Sequence, residues 1–270
     1  VQETLAILYS GGTDSTCVAA LLAERSRHMH LLTFDRSGFH NIQNSAEGVQ
    51  RLVERFPEIR FEHKILKIDR IFNRLAFQDY LSRLRRFGLM MLQNCTFCAL
   101  ANHFRALHYC LEHGIRTVAD GATRELRFLP SHMEKPIEKL RALYAEYGIE
   151  YLTPVYDFDI PREIDFFDKL KMEKDGQTGV EIDPDGRTTG RYLHELGLLP
   201  SENIKGSALD RRLQYRCFQY ILHNMVAHIV LRAPQDYPRY EQDILEMYAD
   251  VIERFKPGPD GTGPLKDLLD

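Results

Sequence analysis

An apolar run at residues 5–9 stops at Ser10-Gly11-Gly12-Thr13-Asp14-Ser15, and the chain resumes at once with helical spacing. Val18, Leu21 and Leu22 share one face of residues 15–24. A strand that becomes a helix across two adjacent glycines narrows the choices sharply. The glycines let the backbone turn tightly and come close to a ligand. The loop N–H groups and the helix start then form a site for an anion.

The same alternation continues for about 150 residues. Residues 30–34 and 61–68 read as strands, with a helix at 42–56 between them and a helical stretch at 70–87 after them. A helix at 99–112 stops at Gly114, a strand at 116–119 breaks at Asp120-Gly121, and a helix at 136–147 precedes a strand at 151–156. This order predicts an α/β fold: a doubly wound, mostly parallel five-stranded sheet, with ligands beyond the carboxyl ends of its strands. After Pro161 the pattern changes. Residues 162–173 read as helix, 175–190 as a turn-rich loop, 209–231 as one long helix carrying Cys217, and 240–255 as a last helix before a frayed tail. The expected division is a domain at 1–160 and a mostly helical C-terminal extension at 161–270.

Composition removes several classes. Of 270 residues 44% are hydrophobic and 27% charged, which excludes wholesale disorder. A formal charge of -4 excludes a generally basic nucleic-acid coat protein. No apolar run approaches the roughly 18 residues of a membrane helix, and the first nine residues read as a strand and not as a leader. Five cysteines, an odd number, do not suggest a secreted disulfide scaffold, so a reducing, cytoplasmic setting is expected. Charge is uneven along the chain. Residues 51–86 hold ten Lys/Arg against five Asp/Glu, and residues 236–270 hold four against nine. One reading is solvated helix faces; the other is a basic surface for RNA.

Within the loop, Ser10 and Ser15 add hydroxyl donors to the backbone of Gly11, Gly12 and Thr13. Asp14 suits a magnesium ion bridging to phosphate, or else it caps the helix. The spacing is neither G-x-x-x-x-G-K-[ST] nor G-x-G-x-x-G. The hexapeptide after a strand and before an amphipathic helix resembles the PP-loop of the N-type ATP pyrophosphatases, the adenine nucleotide alpha-hydrolase superfamily. The resemblance implies that Ser10, Gly11, Gly12, Thr13, Asp14 and Ser15 hold the pyrophosphate portion of ATP with Mg2+. It implies that the backbone from Thr33 to Asp35, with Phe34 at its center, lies by the adenine. It also aligns the segment from Asp120-Gly121 to Glu125 with a second glycine motif. Relatives that thiolate tRNA carry Gly-His there, whereas this chain has Gly121-Ala122. Arg124 and Arg127 are either phosphate-neutralising or surface arginines.

Cys95-Thr96-Phe97-Cys98 places two sulfurs three residues apart at a helix start, where thiolate is favoured. Alone, the pair fits a redox couple, half a zinc site, part of an iron–sulfur site, or coincidence. His103 and His108 follow on different faces of the helix. Cys17 and Cys110 sit among apolar neighbours and read as packing. Cys217, after Arg211, Arg212 and Arg216, is the candidate third ligand. The family resemblance implies that Cys95, Cys98 and Cys217 hold a [4Fe–4S] cluster with one open iron, as in some PP-loop tRNA thiolases.

These readings converge on an ATP-dependent sulfur transferase. The catalytic candidates are Asp14, Cys95, Cys98 and Cys217, and the expected cofactors are ATP, Mg2+ and the cluster, with zinc or no metal as alternatives. The expected partners are a tRNA and a sulfur-donor protein or sulfide, with no membrane; a homodimer stays open. The alternative is an ammonia- or amine-dependent ligase using the same adenylation on a small molecule. A nucleotide-binding module without catalysis is a third class, disfavoured by the complete loop.

Overall fold

The structure, a computed structural model, describes residues 3–92, 94–159, 186–204, 207–231, 236–258 and 262–269. The chain opens with β1 (Glu3–Leu8), α1 (Thr13–Leu22), β2 (Ser26–Asp35), a short β3 (Phe39–His40), α2 (Ser45–Arg55) and β4 (Arg60–Lys67). It continues through α3 (Asp69–Phe77), α4 (Tyr80–Phe87), α5 (Cys95–His113), β5 (Thr117–Asp120), α6 (Glu134–Ala145) and β6 (Glu150–Leu152). Then follow α7 (Thr189–Glu195), α8 (Ala208–Leu213), β7 (Arg216–Cys217), α9 (Gln219–Val230) and α10 (Asp236–Phe255).

Five strands form one parallel sheet in the order β4-β2-β1-β5-β6. The period of two along β1 sends Leu5 and Ile7 to one face and Ala6 and Leu8 to the other. Both faces are covered, which is why the central strands read as continuous apolar runs. One face packs on α3, α5, α6 and α10 through Leu32, Phe34, Phe104, Leu107, Ile137 and Tyr248. The other packs on α1, α2, α7 and α8 through Met29, Leu31, Val18, Leu52, Leu193 and Leu213. Residues from 186 onward therefore complete both cores. The chain leaves β1 toward β2 and β4, and returns to add β5 and β6 on the other side. The order reverses between β1 and β5, so the crevice at their carboxyl ends is the ligand position of such a sheet.

Three expectations along the chain need correction. Residues 209–231 are not one helix: the chain is extended at 214–217, where β7 pairs antiparallel with β3 and Cys217 faces Phe39. Tyr215 stacks on Phe39 at 4.8 Å between centroids. Tertiary pairing overrides the helical pattern there. The stretch 70–87 is two helices, because Asp79 has φ 59°, outside the helical region. The C-terminal tail is anchored where it is described, with Leu265 fully buried and Pro257 accepting a hydrogen bond from the Tyr147 hydroxyl. The helix expected at 162–173 and the loop at 175–185 lie outside the described residues.

The uneven charge is largely consumed inside the fold. The acidic helix α10 lies against the basic helix α4, giving Arg83–Asp250 at 3.2 Å, Arg86–Glu246 at 2.8 Å and an Arg254–Asp79 pair. Arg51 and Arg55 donate to the carbonyls of Leu198 and Leu196. Arg60 and Lys64 pair with Glu62. Six of the ten basic residues in 51–86 thus have partners within the chain, which weakens that stretch as an RNA surface. Among the described residues no helix is long and apolar enough to cross a membrane.

Candidate active site

The loop at 10–15 leaves β1 at the sheet's carboxyl edge. Gly11 has φ 82°, a conformation that requires glycine there. A Cβ on Gly11 would lie 2.4 Å from the Leu213 carbonyl oxygen and 2.6 Å from the Ser45 Cα. The loop is held by its own side chains: Gly12 N donates to Ser10 Oγ at 3.2 Å and Ser10 N to Ser15 Oγ at 3.2 Å. The two hydroxyls lie 3.1 Å apart. Thr13 opens α1, so its N–H and those of Asp14 and Ser15 have no partner within the helix and lie at its positive end. These are the donors an anion needs.

Asp14 accepts a hydrogen bond from Thr189 Oγ1 at 2.7 Å. That contact ties α7 to the loop and orients the carboxylate. A carboxylate offers about four lone-pair positions, so the bond from Thr189 does not by itself exhaust its capacity to ligate a cation. Gln214 reaches the loop from the other side: a Cβ on Gly12 would meet its Oε1 at 2.8 Å.

Across the crevice, Gly121 follows β5 and presses directly on the loop. A Cβ there would lie 2.8 Å from Ser15 N and 3.0 Å from the Asp14 carbonyl carbon. Its neighbour Asp120 accepts from Ala122 N at 2.9 Å and from the Tyr151 hydroxyl at 2.5 Å. His103 Nε2 is 3.8 Å from Asp120, and the His103 Nδ1 is 3.2 Å from the Tyr144 hydroxyl. Burial pushes the Asp120 carboxyl up to about 6, against the pull of Tyr151 and Ala122. Burial also pulls His103 down to about 3, leaving it neutral.

Cys95 and Cys98 lie inside the first turn of α5, not before it as the spacing suggested. That turn lies at the carboxyl edge, because the Arg36 side chain, immediately after β2, donates from Nε to Cys98 Sγ at 3.1 Å. Each of these two thiols is raised above its ordinary value, chiefly by burial, while Arg36 opposes the rise. The Cys95 thiol also senses Cys98 and Cys217, so the three cysteines lie in one electrostatic neighbourhood. Cys17 and Cys110 are fully buried in the two cores, as expected of packing residues.

The residues around the cysteines fit an anionic iron–sulfur group. A four-iron cube takes its cysteines at separate corners. Arg36 is buried and contacts Cys98, the Ser37 carbonyl and Gln219 Oε1, with no carboxylate partner among the described residues. The Tyr248 hydroxyl, fully buried, has no hydrogen-bond partner among the described residues and senses Asp120, Cys98 and Cys95. A buried cation and an orphaned hydroxyl beside three soft donors are what such a group would satisfy.

Other expected residues lie elsewhere. The Phe34 side chain is buried in the core, so only its backbone faces the carboxyl edge. Thr33 Oγ1 is committed to the Tyr9 carbonyl at 2.7 Å and to His63 Nε2 at 2.9 Å. Arg124 is ion-paired with Asp157 and lines a cleft of about 510 Å³ with Arg127, Arg141 and Tyr156. Arg36, Thr189, Gln214 and Tyr248 were not anticipated. The one signal for Arg36 was a lone arginine at the end of a buried strand; the others come from distant sequence and had none.

No protein-family model matches this chain, and no curated protein matches it. Solved structures do. A "predicted subunit of tRNA methyltransferase" from Methanocaldococcus jannaschii matches with TM-score 0.38 and 20% identity, over 68% of this chain and 95% of that one. A 4-thiouridine synthetase in complex with RNA and bound ATP matches with TM-score 0.44 and 13% identity, over 92% of this chain but only 53% of its own length. NMN synthetase from Francisella tularensis matches with TM-score 0.41 and 11% identity, over 92% of this chain and 87% of that one. The chain itself carries the five-stranded parallel sheet, with the glycine loop at the end of its first strand, that its resemblance to the PP-loop ATP pyrophosphatases implied.

Proposed function

We propose that the chain is an ATP-dependent, adenylating sulfur transferase of the PP-loop type, acting on a carbonyl group of a tRNA base. The observation that carries this reading is the convergence of two chemistries on one edge of one sheet. The anion loop ends β1, and thiols backed by a buried guanidinium begin α5.

The loop would hold the phosphates of ATP with the N–H groups at the start of α1 and the hydroxyls of Ser10 and Ser15. Asp14, oriented by Thr189, would hold Mg2+, which neutralises phosphate charge when bound. The acceptor's carbonyl oxygen attacks the α-phosphorus and pyrophosphate leaves. Hydrosulfide-level sulfur then attacks the carbonyl carbon, the C–O bond breaks, AMP leaves with the former carbonyl oxygen, and the sulfur's proton is released. Most of this chain's contribution is positioning and charge neutralisation. Cys95, Cys98 and Cys217 would hold the iron–sulfur cluster, which supplies a place to carry sulfur as an anion. Arg36 offsets negative charge there, and Asp120, with a pKa of about 6, can hold or release a proton between the loop and the thiols.

The test is turnover with Mg-ATP, sulfide and tRNA, followed by mass spectrometry of the nucleosides and assay of AMP and pyrophosphate. Thionucleoside formed with AMP in equal amount is the expected result. Asp14→Ala is expected to lose both products; normal turnover in that variant would overturn the loop assignment. Nitrogen incorporation from ammonia, without sulfur, would shift the chain to the ligase reading. Protein purified anaerobically that is colourless and free of iron and sulfide would overturn the cluster.

A further inference from the structure

At the opposite end of α5 from the cysteines, a second group of ligating side chains lies together. The span from Cys95 to His113 is about 27 Å at 1.5 Å per residue. His28 and His30 alternate on β2 and so project from one face of the sheet. Glu62 on β4 is in register with His30 and shares that face. The donor atoms of His28, His30 and Glu62 all lie within 4.8 Å of one another. His28 Nε2 and Glu62 Oε2 are 3.3 Å apart, close to the roughly 3.3 Å separating two ligands of a tetrahedral ion with bonds of about 2.0–2.1 Å.

The surroundings add two independent features. His30 Nδ1 is held by the Tyr109 hydroxyl at 2.9 Å, which fixes the ring and leaves Nε2 as its ligating atom. A partner of this kind on the far nitrogen is what metal-bound histidines carry. The group also sits by the last turn of α5, whose carbonyl end favours a cation. His113, with its ring 5.9 Å from His30, stacks on Tyr109. Lys64 and Arg60 oppose a cation, but Lys64 holds the other carboxylate oxygen, Oε1, at 2.9 Å, and Arg60 is more distant from Oε2, at 3.5 Å.

We propose that His28, His30 and Glu62 form a divalent-metal site of the zinc class, with an open fourth position, that fastens the edge strand β4 to β2 at the amino end of the sheet. Two histidines and one carboxylate are a borderline donor set suited to Zn2+. The site is independent of the adenylation chemistry, and its failure would leave that reading untouched.

The experiment is a titration of chelator-treated protein with Co2+, read by visible absorption, and with Zn2+, read by calorimetry and thermal melting. The Cys95→Ser/Cys98→Ser/Cys217→Ser variant removes the competing thiols. One equivalent bound, nitrogen- and oxygen-type cobalt bands and a raised melting temperature are expected. His28→Gln and Tyr109→Phe are expected to weaken binding about tenfold or more. Should the cysteine variant fail to fold, the His28→Gln change in the otherwise unaltered chain must lower zinc stoichiometry by one. No binding to the folded protein, sulfur-type bands only, or an affinity unchanged by His28→Gln would overturn the site.

Discussion

Gly121→Ala isolates one steric contact at the center of the candidate site. Gly121 does not occupy the left-handed region, so alanine meets no backbone strain there. With open space, the substitution would stabilise the protein by about 0.4–1 kcal/mol through the unfolded chain. The space is closed: the new methyl carbon would lie 2.8 Å from Ser15 N, 3.0 Å from the Asp14 carbonyl carbon and 3.2 Å from Asp14 Cβ. Two of these are backbone atoms at the first turn of α1, and they cannot rotate away. Overpacking of this kind costs about 1–3 kcal/mol. Net destabilisation of about 0.5–2 kcal/mol follows, or roughly 1–4 °C in melting temperature for a chain of this size.

The same displacement moves the N–H groups proposed to hold phosphate, so Mg-ATP should bind about tenfold more weakly, an effect of about 1.4 kcal/mol. Scanning fluorimetry reads the first effect and calorimetry the second. Gly197→Ala is the control. Its φ is 75° and its Cβ would meet nothing within 4 Å, so it should lower stability by about 1–2 kcal/mol through strain alone and leave ATP binding unchanged. A Gly121→Ala protein that melts at or above the parent temperature and binds Mg-ATP normally would refute the close approach of the two loops.

Three further outcomes follow. Asp120 has a folded pKa raised to about 6 from 3.8, so its contribution is complete below about pH 4 and lost as pH rises through 6; relative to Asp120→Asn, the parent should gain about 2 kcal/mol on acidification from pH 6.5 to 4. His103, His132, His30 and His108 are pulled down by burial and act oppositely, losing stability below about pH 6.5, so denaturant melts of the pair must be compared at each pH. Arg36→Met removes the donor 3.1 Å from Cys98, so the pH profile for alkylation of Cys98, read by mass spectrometry, should move to higher pH; an unchanged profile would mean Arg36 does not act on that thiol. Asp250→Ala removes the carboxylate 3.2 Å from the buried Arg83, leaving it the Leu75 carbonyl at 2.5 Å and the Phe97 ring among the described residues; a loss of about 1–3 kcal/mol in urea melts is expected, largely restored by adding Arg83→Met.

What could be read from the sequence was what local chemistry dictates. The central strands are apolar because both their faces are covered, and the glycine junction is visible because its backbone admits nothing else at Gly11. Those features made the sheet and the loop legible, while the start of α5 at Cys95, four residues before the expected Ala99, was not. Contacts between distant segments left no local mark. Nothing near Cys217 announced that residues 214–217 would leave helical spacing to pair with β3, since that pairing is made by Phe39 and His40 far upstream. Thr189 and Gln214 reach the loop from the last third of the chain. The basic stretch at 51–86 looked like a surface because its acidic partner lies about 160 residues away in sequence.

The strand order explains why the loop and the thiols, proposed above to serve one reaction, lie at one edge of the sheet. Since β5 is inserted beside β1, the connection before it must cross the sheet face, and α5 makes that crossing with its first turn at the carboxyl edge. The cysteines at its start and Gly121 at the end of β5 are therefore set by the same crossover. Asp120 lies between them, one residue from the glycine that touches Asp14 and Ser15, and near the Tyr248 hydroxyl that senses Cys95 and Cys98. A proton held at Asp120 is thus positioned to feel charge at either end. Binding of a polyanion at the loop should raise the Asp120 pKa further, and a thiolate-rich group at Cys98 should do the same, so the two ligands should couple through that carboxyl. Asp120→Asn should weaken the coupling while leaving each ligand bound, a result that separate and independent sites could not produce.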